Sequence, residues 1–154
     1  MKRLLLKLAI AVTVGGLLYS IPAATQASPS TTKAARVQIT KGPEIERAGA
    51  HPDFSIIRWT TNNPGGSPVH YGIVRYGTDP KKLDQTAKSS IRVNPSHSDT
   101  VFRVRMESLE PQTTYYYTVD SMESNGTGDG VKSPVKQFTT PSSASSELVH
   151  PPQH

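Results

Sequence analysis

The stretch from Leu109 to Val119, Leu-Glu-Pro-Gln-Thr-Thr-Tyr-Tyr-Tyr-Thr-Val, constrains the fold of this chain more than any other. Leu109 ends one predicted strand, and Pro111 turns the chain over. Because side chains alternate between the two faces of a strand, Tyr115, Tyr117 and Val119 lie on one face of the next strand. In β-sandwiches, a tyrosine near the start of the sixth strand bonds to backbone a few residues upstream and fixes the crossover between the sheets. The stretch therefore predicts such a corner, with Tyr115 as its tyrosine.

Composition favours a single small domain built from strands. The 154 residues include 13 prolines, 11 glycines and no cysteine, and 34% of them are hydrophobic. These values are typical of one all-β domain with flexible ends. Since no disulfide can form, stability must come from core packing, which about 100 residues of sandwich can supply.

Residues 1–27 have the layout of a secretory signal peptide. Three basic residues lie among the first seven, an apolar run follows from Leu8 to Ile21, and small residues lead to Ala27. An uncleaved membrane anchor is the alternative, but the run is shorter than the roughly 20 residues a spanning helix needs. We expect cleavage after Ala27, a secreted, periplasmic or cell-envelope location, and no membrane span after cleavage.

Removal of this segment changes the charge of the chain. The full sequence has 17 Lys and Arg against 12 Asp and Glu, a net charge of +5. The signal segment holds three of the 17 and no acidic residue, which leaves 14 against 12, a net charge of +2. The remaining basic excess is small, so the sequence favours no nucleic-acid partner.

Seven short segments have the composition of strands. In chain order they are Val37–Thr40 before a break at Gly42-Pro43, Phe54–Thr61, Val69–Tyr76, Ala87–Val93, Phe102–Glu107, Tyr115–Val119 and Ser133–Thr140. The polar runs Asn62–Pro68 and Glu123–Gly130 are rich in turn formers and are predicted to be loops. This spacing predicts an immunoglobulin-like antiparallel β-sandwich over residues 37–141. We predict a linker over residues 28–36 and a disordered tail over residues 142–154.

The period of two also assigns an interior. In the second strand, Ile57 and Trp59 face inward, and Ser55 takes the third inward position, where an apolar residue would be expected. The predicted dry interior comprises Trp59, Tyr76, Phe102, Val104, Tyr117 and Phe138. Structural roles are assigned to Trp59, Tyr76, Leu109, Pro111, Tyr115 and Phe138.

Four motifs in this order resemble a fibronectin type III domain. They are Trp59 on the second strand, Val-Arg-Tyr-Gly at 74–77, Leu-x-Pro-x-Thr-x-Tyr at 109–115, and Ser-Pro-Val-x-x-Phe-x-Thr at 133–140. Within that superfamily the chain is most similar to the domain that precedes the catalytic domain of purple acid phosphatases. There, a Tyr-Tyr-Tyr run after the turn and a closing Phe-x-Thr are typical.

The resemblance does not extend to catalysis. In that family, the chemistry belongs to a following metallophosphoesterase domain that holds two metal ions. Its Asp-x-Gly, Gly-Asn-His and Gly-His-x-His segments are missing from this sequence. The resemblance therefore implies an accessory domain without phosphatase activity.

No other chemistry is indicated by the residues. The five histidines lack close metal-ligand spacing, and we expect them to be solvated or at the edge of the core. Asp129, between two glycines, is expected to serve a turn. No Gly-x-Ser-x-Gly elbow is present. We therefore assign no catalytic, cofactor or metal site. Asn125-Gly-Thr127 fits the pattern of a glycosylation acceptor.

Two surfaces remain as candidate binding sites. The first is the end of the sandwich where two loops should lie side by side, with Asn62, Asn63, Asn125 and Asp129 as its residues. The second is the outward face of the third and sixth strands, where Tyr71, Ile73, Arg75 and Tyr116 should cluster. Aromatic and arginine side chains of this kind are enriched in interface cores.

These observations predict an exported, non-enzymatic module that presents a surface to a protein or a cell-surface polysaccharide. Two alternatives are an accessory domain that docks a separately encoded hydrolase and a carbohydrate-binding module. A small enzyme with an unrecognised site is a third.

Overall fold

The computed structural model of the protein describes residues 32–46 and 51–143. The predicted signal peptide, the start of the linker and residues 144–154 of the predicted tail lie outside these residues. Within these ranges the chain forms eight strands, which are β1 (Ile39–Ile45), β2 (Phe54–Asn62), β3 (Val69–Gly77), β4 (Gln85–Arg92), β5 (Asp99–Glu107), β6 (Thr114–Glu123), β7 (Gly128–Lys132) and β8 (Lys136–Thr139). Among the described residues, no helix is long and apolar enough to cross a membrane.

The strands form the two sheets of an immunoglobulin-like sandwich. One sheet has the order β1-β2-β5, and the other has the order β4-β3-β6-β7, with β8 also paired to β6. All pairings are antiparallel. The predicted all-β sandwich is confirmed, and the described residues form eight strands in place of the seven predicted.

The extra strand arises at the end of the chain, where the predicted boundaries are wrong. Gly128–Lys132 forms β7, although its first three residues were predicted to belong to the loop Glu123–Gly130. The strand predicted over Ser133–Thr140 is observed as Lys136–Thr139. Between them, Ser133 bonds through its own backbone and hydroxyl to Val119 of β6. Pro134 then has no amide hydrogen to offer. The ladder with β6 is therefore interrupted between β7 and β8. The additional strand is β7, which precedes the predicted last strand.

The first strand also differs from its prediction. β1 begins at Ile39 and continues through Gly42-Pro43, where a break was predicted, to Ile45. Its pairing with β2 is irregular between Lys41 and Glu44, so the chain accommodates the proline by a register shift. β1 lies at a sheet edge, as a strand with proline must.

The core lies between the sheets and follows the predicted alternation. Ile57, Trp59, Phe102 and Val104 are buried, and the rings of Trp59 and Phe102 stack with centroids 5.1 Å apart. Gly72 of the facing sheet leaves room for these rings, since a Cβ there would lie 2.9 Å from Trp59 Cη2. Tyr76, Tyr115 and Tyr117 extend the same cluster, and Phe138 packs against it half-buried. Ser55 is buried as predicted, and its hydroxyl has no hydrogen-bond partner in the described residues.

The tyrosine corner is confirmed. The backbone N–H of Glu110 donates to the hydroxyl oxygen of Tyr115 at 2.9 Å. Leu109 is buried beside it. The hydroxyl of Thr140 donates to the Glu110 carbonyl at 2.6 Å, which ties the end of β8 to the same turn.

Candidate functional site

The predicted partner surface lies on the outer face of the five-stranded sheet, but its residues do not form one cluster. Tyr71 pairs with Met122 across the β3–β6 ladder, whereas Tyr116 pairs with Gly77. Six residues of β3 therefore separate the two tyrosines, about 20 Å along the strands. Tyr71 and Tyr116 are each half-buried, one towards each end of this face.

The residues between the two tyrosines are already engaged. Arg75 forms an ion pair with Asp120 at 3.1 Å. Ile73 lies on the outer face but is buried, because Lys88 and Asp120 flank it on the neighbouring strands. The prediction that Ile73 offers an exposed contact is therefore wrong. The ammonium of Lys88 lies 3.7 Å from the centroid of the Tyr71 ring, a cation–π contact.

The two loops at the end of the sandwich do lie side by side. The hydroxyls of Ser67 and Ser124 are 2.9 Å apart, and the Ser124 N–H donates to the Val69 carbonyl. The asparagine side chains that were predicted to bind a partner form hydrogen bonds within the fold instead. Asn62 bonds to the backbone of residues 36 and 38, Asn63 bonds to the backbone of residues 65, 94 and 97, and Asn125 accepts from the Thr127 N–H.

Beneath these loops is a charge cluster, Lys33, His70, Glu123 and Asp129, which sequence reasoning missed. His70 is fully buried, so the prediction of a solvated or core-edge histidine is wrong for this residue. Its Nδ1 lies 2.9 Å from Asp129 Oδ2, and its Nε2 lies 2.9 Å from the Gly65 carbonyl. Ser121 donates its hydroxyl to the same oxygen of Asp129 at 2.7 Å. Asp129 is therefore not a loop-surface residue, because β7 directs its side chain inward.

The geometry decides the protonation of His70. Both ring nitrogens face acceptors, a carbonyl oxygen and a carboxylate, so the imidazolium form, which donates from both nitrogens, satisfies both contacts. Burial by itself lowers the pKa of His70, but the hydrogen bond and charge of Asp129 raise it overall. Burial likewise raises the pKa of Asp129, and the hydrogen bonds from His70 and Ser121 lower it overall.

A second ion pair attaches the N-terminal segment to this cluster. The Lys33 ammonium pairs with Glu123 and lies 3.6 Å from Asp129 Oδ1. The bond to Glu123 raises the pKa of Lys33, and the same bond lowers the pKa of Glu123. The Ala34 N–H donates to the Pro64 carbonyl at 2.8 Å. From Lys33 onward, the predicted linker therefore makes specific contacts with the sandwich.

The arrangement is that of a structural charge network. The Ser121 hydroxyl bonds to Asp129 and not to His70, so it is not set up as an activated nucleophile. Within the described ranges, no group of three or more His, Cys, Asp or Glu has the geometry to hold a metal ion. The sequence signal for this network is the alternation of side chains along two strands. His70 shares the inward face of β3 with Val74, and Asp129 shares the inward face of β7 with Val131.

Shallow depressions also lie on the surface of the described residues. One, of about 160 Å³, lies beside Asn63 and His97 at the loop end. Another, of about 360 Å³, lies between β1 and the break from β7 to β8, and Ile39, Pro43 and Val131 are among its lining residues.

Comparison with known proteins relates this sandwich to one family. The family profile of the purple acid phosphatase N-terminal domain matches residues 40–140. A search of curated proteins finds no match.

The solved structures that match this chain include the following three. The sensor domain of the anti-sigma factor RsgI4 from Pseudobacteroides cellulosolvens is 19% identical, over 70% of this chain and 97% of that chain, with a TM-score of 0.46. The fn3 domain of human contactin 1 is 16% identical, over 79% and 90%, with a TM-score of 0.43. The fibronectin type-III domain of human fibronectin type III domain containing protein 3 is 20% identical, over 80% and 98%, with a TM-score of 0.38.

Proposed function

The chain belongs to the purple acid phosphatase N-terminal domain family, and from this premise we propose that it is an exported, non-enzymatic module that binds a protein or cell-surface partner. The proposed surface is the outer face of the five-stranded sheet. The family match covers the sandwich alone, from residue 40 to residue 140.

The observation that supports this surface most is the pair of half-buried tyrosines, Tyr71 and Tyr116, on adjacent central strands. Tyrosine offers a large contact area at low entropic cost, and its hydroxyl can bond to a polar partner. β3 and β6 fix the backbone that carries these rings through eight consecutive pairings, so little backbone ordering cost remains on binding. The Arg75–Asp120 pair between them provides a polar centre.

Site-specific photocrosslinking tests the surface directly. A benzophenone amino acid replaces Tyr116 in the chain expressed in its own host, and crosslinked products are identified by mass spectrometry. We expect one dominant adduct. The matched control places the same group at Val101, which is half-buried on the outer face of the three-stranded sheet. The proposal would be contradicted if positions 116 and 101 gave the same crosslinked products in equal amounts, or if position 116 gave none.

Family membership favours one kind of partner, a separately encoded hydrolase. The matched family is by its description the N-terminal domain of a phosphatase, so a hydrolase is the kind of partner that this description suggests. The crosslinking experiment separates this possibility from carbohydrate binding. A hydrolase in the adduct supports docking, whereas an adduct with envelope polysaccharide supports the carbohydrate-binding alternative.

A further inference from the structure

The edge strand β4 has a regular backbone. It pairs with β3 on one side, and it lies close to β5 of the other sheet without pairing with it. It pairs with β3 over eight consecutive positions, from Gln85 opposite Tyr76 to Arg92 opposite Val69, without a register shift. It contains no proline or glycine. In the part of the chain that the structure describes, no strand pairs with its other side. A free edge of this kind presents unpaired N–H and C=O groups to an added strand.

The same strand has a definite charge. Lys88 and Arg92 are exposed and lie on the outer face together with Ser90, since they are spaced by two. β4 contains no acidic residue, and neither cation forms a salt bridge with another residue of the described ranges. Side chains directly opposite each other on neighbouring strands lie about 5 Å apart, so carboxylates on an added strand would reach both cations.

These charges disfavour a second copy of the chain as the occupant. Two β4 strands paired about a twofold axis would place Lys88 opposite the other Lys88 or one diagonal step from it. The two ammonium groups would then lie within about 8 Å, and Lys on an edge is a common device against self-pairing. An acidic strand meets no such repulsion.

We propose that the free edge of β4 takes up an extended acidic segment of the partner as an additional strand, with its carboxylates opposite Lys88 and Arg92. Main-chain hydrogen bonds would supply affinity. The pairing of carboxylates with Lys88 and Arg92 would fix the register of the added strand and select acidic segments. This inference rests on the proposed function, because β4 belongs to the sheet whose outer face is the proposed docking surface.

A synthetic peptide tests strand addition without knowledge of the partner. The probe is a capped octapeptide of alternating Glu and Thr, added to the purified, ¹⁵N-labelled chain. We expect chemical-shift changes centred on residues 85–92 and slowed hydrogen exchange of their edge amides. A peptide of the same sequence with alternate N-methyl groups retains every charge but cannot pair along one edge. It should not bind.

Matched charge variants test the register. Lys88→Glu with Arg92→Glu should weaken peptide binding about tenfold or more, since two attractive pairs become repulsive. Arg36→Glu with Lys41→Glu makes the same change in net charge at exposed positions before and within β1, in the other sheet, and should retain most of the affinity. The ¹⁵N spectrum of each variant establishes that it is folded.

Each contrary result has a clear meaning. Absence of binding, equal binding of the N-methylated peptide, or equal weakening by the two charge variants would overturn the inference. If the photocrosslink from position 116 persists in that case, the proposed function stands without strand addition. Loss of that crosslink would instead refute the proposed function itself.

Discussion

Substitution of His70 by leucine should destabilise the fold severely. The variant retains the volume of the side chain approximately, but it removes the cation that bonds to Asp129 and the donor to the Gly65 carbonyl. Breaking a buried ion pair by removing one partner costs about 3–5 kcal/mol. Small domains have a free energy of unfolding of about 5–15 kcal/mol in total. His70→Leu should therefore lose a large part of its stability.

The assay is urea unfolding followed by fluorescence. Trp59 is the single tryptophan and is 1% exposed, so its emission reports loss of the core. The matched control is His97→Leu, the same chemical change at an exposed position, which should stay within about 0.5 kcal/mol of the wild type. The double variant His70→Leu, Asp129→Leu removes both charges and should be more stable than His70→Leu alone.

The pH dependence of stability gives a second signature of the same pair. The pKa of His70 is raised above its ordinary value of 6.5. Protonated His70 therefore contributes fully to the free energy of unfolding below pH 6.5, and this contribution is lost as the pH rises through the folded-state pKa. Over this range the free energy of unfolding should fall by at most about 1.4 kcal/mol per pH unit. The pKa values of Asp129 and Glu123 are lowered, so their stabilisation is lost as the pH falls below the ordinary values of 3.8 and 4.5.

Stability should therefore be greatest between about pH 4.5 and pH 6.5. Above pH 6.5, the decline should be absent from His70→Leu. The reasoning is refuted if wild-type stability is flat from pH 6 to pH 8, or if His70→Leu and His97→Leu are equally stable.

Three further results are expected. Trp59→Ala should lower the free energy of unfolding by about 3–5 kcal/mol, because it empties the centre of the core. Urea unfolding followed by circular dichroism measures this change. A decrease of less than about 1 kcal/mol would contradict the core assignment. Tyr115→Phe should cost about 0.5–1.5 kcal/mol, the net value of its bond from the Glu110 N–H, whereas an unchanged free energy of unfolding would mean that the corner does not stabilise the fold. The purified chain with added Zn²⁺, Mn²⁺ or Fe³⁺ should not hydrolyse p-nitrophenyl phosphate, and metal-dependent turnover would refute the non-enzymatic proposal.

The parts of the fold that follow a local rule were predictable from the sequence. Alternation along a strand placed Trp59, Phe102 and Val104 inward without knowledge of the partner strands. The corner at Leu109 and Tyr115 was equally local, since a leucine, a turn and a tyrosine six residues after the leucine define it.

Features that depend on pairing between distant segments were not predictable in the same way. The Gly-rich sequence around Asp129 is typical of a turn, and only pairing with β6 makes it a strand that directs this carboxylate towards His70. The distance between Tyr71 and Tyr116 depends on the β3–β6 register, which composition does not determine. Lys33 lies 90 residues from Glu123 in the sequence, so no local pattern links them.

The central claim is that the outer face of the five-stranded sheet binds a partner, and a capture experiment with a paired variant tests it most directly. The purified chain is immobilised and exposed to an envelope extract of its host, beside the variant Tyr71→Ser, Tyr116→Ser and the control variant Val101→Ser. We predict that the double variant loses a specific partner that the wild type and the control both retain, with its melting temperature unchanged. Equal capture by all three proteins would show that binding, if any, uses another surface.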